Sequence, residues 1–182
     1  VNFDLMGEEL RVYTNEPTDA HHVLMAHSLH HEFFLLEDGS FLSLDRTSRD
    51  VDAYPTDYGL LRYAPATLEV DVGVHVGPDG ADLATWDLGE ILDTSRIGWD
   101  SLNLVARGKE WSHANAIIED PSDGGIVVSV RHQDTIVKFD RDGELQWILA
   151  NPSGWEPPWS DARLQPVGDL SWPWHPHSPA WT

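Results

Sequence analysis

With 182 residues and a 41% hydrophobic content, the chain is long enough for one domain with a sizeable core and lies outside the disordered range. Its 31 acidic against 11 basic residues give a formal charge of −20, which excludes a polyanion-binding surface, since nucleic acid and anionic lipid require clustered Lys and Arg. The absence of cysteine excludes disulfides, thiolate metal ligands and a Cys nucleophile, and no apolar run approaches a membrane span.

Lys109 and Lys138 are the only lysines. An acid excess with scarce lysine is what a protein working in high salt requires, because screening within a few ångströms tames self-repulsion. The first ten residues, VNFDLMGEEL, lack the basic-then-apolar order of a signal peptide. The chain also begins without Met, so a processed chain or a fragment is expected.

In chain order, FDLMGEELRVYT (3–14) reads as the last two strands of a blade, followed by a loop with His21, His22 and His27. HHEFFLLEDGSFLSLD (30–45) is a histidine-headed strand, an Asp-Gly turn and a second strand. A loop rich in Asp, Tyr and Pro then leads to LEVDVGVHVGPDGADLATWDL (68–88), again strand, turn and strand, with Trp86 near its end. One or two helical turns are expected in DLGEILDTS (87–95) and no other helix.

The third quarter gives the cleanest pattern. HANAIIED (113–120), the turn PSDGG, IVVSVR (126–131), DTIVKFD (134–140), the turn RDG and ELQWIL (144–149) make four antiparallel strands. This matches one propeller blade, with Trp147 placed as Trp86 is in the earlier unit. The stretch 152–174 reads as an irregular Trp- and Pro-rich connection, and WPWHPHSPAWT (172–182) as the head of another blade. The expected architecture is therefore all-β, a single partial propeller of four-stranded antiparallel blades. Its parts are the end of a preceding blade and a loop (1–29), one blade (30–88), another (111–149), and a connection with the start of the next (150–182).

Each blade-like unit opens on a histidine: His31, His113 and His177. In a propeller the first strands line the central channel, so these residues are expected to converge. The hairpin after His113 returns Arg131 to the same rim. Arg131 has a planar fork of donors for a tetrahedral oxyanion, and an imidazole can donate, accept or attack. With the amide of Asn115, the set suits phosphoryl or sulfuryl transfer, which depends on positioning and charge stabilisation. His132, next to Arg131 in a strand, should face the other way and serve structure; His75 is isolated. The pairs His30/His31 and His175/His177 could ligate Zn²⁺ or Cu²⁺, but HEFFL has Leu35 where a zinc-protease helix needs histidine, and Arg131 disfavours a cation nearby. No metal and no cofactor are expected.

WSHANAI followed by SVRHQDTIVKFDRDGELQWIL resembles the PAPS-independent arylsulfate sulfotransferases, six-bladed β-propellers of bacteria and archaea. HHEFFLLEDGSFLSL, WDLGEIL and WHPHSPAWT are also similar to that family. The resemblance implies transfer of a sulfuryl group from an aryl sulfate donor to a phenolic acceptor through a sulfohistidine, with His177 as nucleophile. It implies that His31, His113 and Arg131 hold the sulfuryl and phenolic oxygens, and that Asn115 orients His113 or the donor. His30 and His175, beside these residues, are candidate substrate contacts. Members are often periplasmic or exported, and any leader would lie upstream of Val1. A full member is longer, so a fragment with open sheet edges and a tendency to self-associate is expected. Two other functions fit the same residues: an anion- or phenol-binding module, and a propeller scaffold for protein contacts.

Overall fold

The computed structural model describes residues 28–181 together with 2–3, 6, 9–11, 13–14 and 22–23. Near the N-terminus, β1 (Asn2–Phe3) pairs antiparallel with β2 (Glu9–Arg11), and β3 (Tyr13–Thr14) runs parallel to β4 (His22–Val23). The rest of the expected N-terminal unit, including His21 and His27, lies outside the described residues.

β5 (His30–Leu35), β6 (Phe41–Pro55), β7 (Tyr63–Val76) and β8 (Asp82–Asp87) form an antiparallel meander. The Asp-Gly signal does make the first turn, where the Asp38 carboxylate accepts from the Ser40 N–H and hydroxyl and Gly39 takes φ 83°. The supposed loop after residue 45 is instead a long ribbon, with β6 and β7 paired out to Pro55 and Tyr63. Ser48, Asp50, Asp52 and Ala53 are exposed there, so the ribbon lacks the apolar alternation by which a half-buried strand is read.

One helical turn, α1 (Leu88–Ile91), is capped by the Asp87 carboxylate accepting from Gly89 N–H. Two short strands follow, β9 (Leu104–Val105) and β10 (Gly108–Glu110), and β10 lies parallel beside the lower part of β7. The second main sheet is β11 (Ala114–Glu119), β12 (Ile126–Val130), β13 (Thr135–Phe139) and β14 (Leu145–Ala150), neighbours in chain order. The all-β expectation therefore holds. The connection after 150 has no strand, but residues 162–164 cover part of the β14 edge, with Ile148 N–H donating to Ala162 O and Leu164 N–H to Ile148 O.

The core lies between the sheets. Leu42, Leu44, Leu68, Val70 and Trp86 meet Ile117, Val128, Val137, Phe139 and Ile148, with the rings of Trp86 and Phe139 5.8 Å apart. Every residue of β12 is buried, because its second face joins a layer with Ile118, Ile136 and Trp147 beside Pro179 and Trp181. This explains why IVVSV runs apolar without alternation.

At the far end of the second sheet, buried Lys138 Nζ donates to Asp120 at 2.5 Å and Asp123 at 2.7 Å. The Lys138 ammonium and the Ser122 donors hold the Asp120 carboxyl at about 2, below its ordinary 3.8. A carboxylate held low stabilises the fold fully above its unfolded value and loses that contribution as pH falls through the folded one. Lys138→Met should therefore move the acid-unfolding midpoint, read by near-UV circular dichroism, to higher pH. An unchanged midpoint would mean that the trio is not coupled to folding.

Candidate active site

His31 and His113 occupy equivalent places at the head of the first strand of each sheet. Both have left-handed backbones, φ 58° and 47°, and irregular pairing follows each one, between His30 and Phe33 and between Ala114 and Ala116. A positive φ followed by a bulge turns a side chain out of the sheet's alternation, towards the rim.

At that rim three separate segments meet. The His31 ring lies 5.5 Å from that of His113 and 6.3 Å from that of His177. His177 is exposed, and its Nδ1 lies 2.6 Å from Ser178 Oγ, leaving Nε2 free of that contact. Asn115, 2% exposed, donates from Nδ2 to Pro176 O at 3.0 Å and accepts from Ser129 Oγ at 2.5 Å. Both ends of its amide are thus occupied, and it ties β11 to the segment carrying His177.

The turn after β12 fits against the His113 turn. Arg131 N–H donates to His113 O at 3.2 Å, His132 N–H to Ser112 O at 3.0 Å, and Gln133 Nε2 to Trp111 O at 2.7 Å. Residues 131–133 are a 3₁₀ turn, so strand alternation does not govern His132. Its ring, 2% exposed, stacks on that of His113 at 4.6 Å, with Nδ1 2.7 Å from Glu110 O. Gly98 permits the packing behind this turn, since a Cβ there would fall 2.0 Å from His132 O. Among the described residues, the half-buried Arg131 guanidinium makes no hydrogen bond or ion pair, so its donor fork is uncommitted.

His175 stands apart from the three converging rings. Its backbone N–H donates to Asp134 Oδ1 at 2.8 Å, its Nδ1 lies 3.1 Å from the same oxygen, and its ring is 5.1 Å from that of Trp99. Trp99 and Asp134, with Tyr58, Leu60 and Arg96, line a 550 Å³ cavity, within the size range of small-molecule sites. His30 lies beside His31, their Nδ1 atoms 2.8 Å apart. Burial, with His30 and His113 nearby, lowers the His31 pKa, and burial lowers that of His132. Both rings are neutral near neutral pH and retain a lone pair.

A family model described as arylsulfotransferase (ASST) matches residues 1–182, the whole chain. The chain belongs to the arylsulfotransferase family. The arylsulfate sulfotransferase AssT of Escherichia coli O6:H1 is 30% identical over 163 aligned residues, covering 68% of this chain and 27% of its own length. The enzyme of the same name from Lelliottia amnigena is 40% identical over 68 residues, covering 37% and 11%. The chain thus spans about a quarter of the longer match.

Beneath the histidines of this arylsulfotransferase chain lies an acid and base network that the sequence reading did not single out. Asp71, 3% exposed on β7, accepts from Ser112 Oγ at 2.6 Å and from Ala114 N–H at 2.5 Å. Arg46 Nη1 donates to Glu69 at 2.8 Å and Nη2 lies 3.8 Å from Glu110. Glu110 Oε1 is 2.9 Å from His113 Nδ1, but off the direction of a well-formed hydrogen bond. His113 foremost, then His132 and Arg46, lowers the Glu110 pKa. The signal was present in LEVDV: acids at 69 and 71 share one face of an otherwise apolar strand, an arrangement that demands buried partners. Glu110, His113 and His132 bring potential metal-ligand atoms within 4.8 Å of one another. Arg46, 3.8 Å from that carboxylate, weighs against a divalent cation there, whereas His132 Nδ1 held at Glu110 O leaves the Nε2 lone pair of that ring free.

Proposed function

We propose that the chain carries a sulfuryl-transfer site that moves the group from an aryl sulfate to a phenol through a sulfohistidine on His177, without a nucleotide sulfate donor. The observation that carries this reading is the convergence of His31, His113 and His177 from three segments, within a chain of the arylsulfotransferase family. In the first half-reaction His177 Nε2 attacks sulfur, the S–O(aryl) bond breaks, and the phenolic oxygen leaves with a proton from a neighbouring imidazole. In the second, the acceptor's oxygen attacks the same sulfur, the N–S bond breaks, and an imidazole takes the acceptor's proton.

Roles follow from chemistry and position. Arg131, with its donors uncommitted, holds two sulfuryl oxygens, and His113 a third. Asn115 holds the Pro176 carbonyl and so sets the height of His177. His30 acts through His31. We read the two sheets as neighbouring propeller blades, since each contains a four-stranded antiparallel meander with a left-handed histidine at its head.

The test is intact mass after mixing with p-nitrophenyl sulfate and no acceptor. A gain of about 80 Da, with nitrophenol released in equal amount, is expected of a covalent sulfuryl intermediate. A folded chain that gains no mass would sink the covalent route.

A further inference from the structure

We propose that Asp134 is the tether that holds the segment carrying His177 in register with the guanidinium of Arg131, and so is a positioning residue for the transfer. The proposal rests on His177 and Arg131 acting as described above.

The segment around His177 has little of its own to hold it. Among the described residues, 170–181 contain no strand and make no hydrogen bond from backbone to backbone. Chain without a ladder is placed by the side chains that reach its backbone. Two such contacts lie within two residues of His177. Asn115 Nδ2 donates to Pro176 O at 3.0 Å, and His175 N–H donates to Asp134 Oδ1 at 2.8 Å. Both anchors are buried, Asp134 at 7% exposure. One bond alone leaves a pivot; the two, on peptide groups before and after residues 175–176, set the direction in which the chain reaches His177.

Asp134 is itself held in place. It closes the 3₁₀ turn 131–133 in the left-handed conformation, φ 47° and ψ 44°, and its N–H donates to Arg131 O at 3.2 Å. The turn is bound on one side through Arg131 N–H to His113 O, His132 N–H to Ser112 O and Gln133 Nε2 to Trp111 O. On the other side Arg96 Nη1 donates to Gln133 O at 2.8 Å and to Gln133 Oε1 at 2.9 Å. The donor fork of Arg131 and the oxygen that places the nucleophile's segment therefore belong to one braced turn, and neither shifts without the other.

The charge of Asp134 has a separate effect. Burial pulls the Arg96 guanidinium down to about 10, and the Asp134 carboxylate opposes that fall. Asparagine keeps an oxygen for the His175 N–H and tolerates the left-handed backbone, but lacks the charge. Glycine keeps the torsion and lacks both oxygen and charge. The pair of variants separates tether from charge.

Two measurements on the full chain test the tether. Exchange of the His175 amide, followed by ¹H–¹⁵N spectra, should be slow in the native chain and in Asp134→Asn, and fast in Asp134→Gly. In transfer from p-nitrophenyl sulfate to a phenol, Asp134→Gly should lose about 10²-fold in kcat, the scale of a misplacement of roughly 1 Å. KM should change little, because Arg131 keeps its bonds to the His113 turn. Asp134→Asn should keep most of the rate. If glycine loosens the turn itself, Asp134→Ala, which also lacks the oxygen, takes its place and should show the same losses. A His175 amide that exchanges as fast in the native chain as in these variants overturns the proposal, as does lost protection with an unchanged rate. An equal rate loss in Asp134→Asn also overturns it, since the charge would then carry the effect. If the native chain never gains the sulfuryl mass, loss of His175 protection in Asp134→Gly still upholds the tether, and the transfer reading falls instead.

Discussion

His177→Ala should abolish the sulfuryl adduct and lower transfer by about 10⁶-fold, the scale on which removing a covalent nucleophile acts. His177 is exposed, as His31 is, and its Nδ1 is occupied by a neighbouring hydroxyl, so its Nε2 is presented to incoming substrate. His31 and His113 are each engaged by their surroundings at one ring nitrogen or on one ring face, through His30 and His132 respectively. Single-turnover release of nitrophenol, followed by intact mass, separates the possibilities. A variant that still gains the mass would place the covalent bond on His31 or His113; a rate loss of less than about tenfold would mean that no covalent bond to His177 lies on the path.

The second large effect is on stability. Trp111→Ala should cost about 3–5 kcal/mol, the range for removing a large buried aromatic. The side chain is 1% exposed, its Nε1–H donates to Arg96 O at 3.0 Å, and its backbone N–H donates to Glu69 O at 3.0 Å. Truncation leaves a cavity beneath the His113 turn and a carbonyl without its donor. Trp111→Phe keeps most of the volume and should cost about 1–2 kcal/mol for the lost hydrogen bond. Urea unfolding of the three proteins measures both; a cost for alanine below about 1 kcal/mol would mean the site collapses around the loss.

The pairing of His113 with Arg131 was legible because a hairpin with a short turn must return its second strand beside its first, and Arg131 N–H indeed meets His113 O. The strand order 114–150 was legible for the same reason: its turns carry Gly and Asp at the positions that need them. The β6–β7 ribbon was hidden by its own solvation, since charged residues on both sides erase the period of two. The alternation argument for His132 fails because the segment had already turned, although its burial agrees with the structural role expected of it. Asp71 and Glu69 were visible as buried acids in waiting, but their partners come from residues 23 to 43 positions away, a distance over which no local pattern reports.

The left-handed backbones of His31 and His113 restrict what a mutational path can reach. At such torsions residues with a short polar side chain, and glycine, are tolerated, whereas a β-branched residue is penalised by about 1–2 kcal/mol. An alanine scan at either position therefore mixes loss of an imidazole with a conformational cost, whereas asparagine or glycine isolates the chemistry. Natural drift at positions 31 and 113 would meet the same filter. The constraint there falls on a torsion angle as well as on a ring, and replacements that preserve the angle remove the imidazole while keeping the local fold.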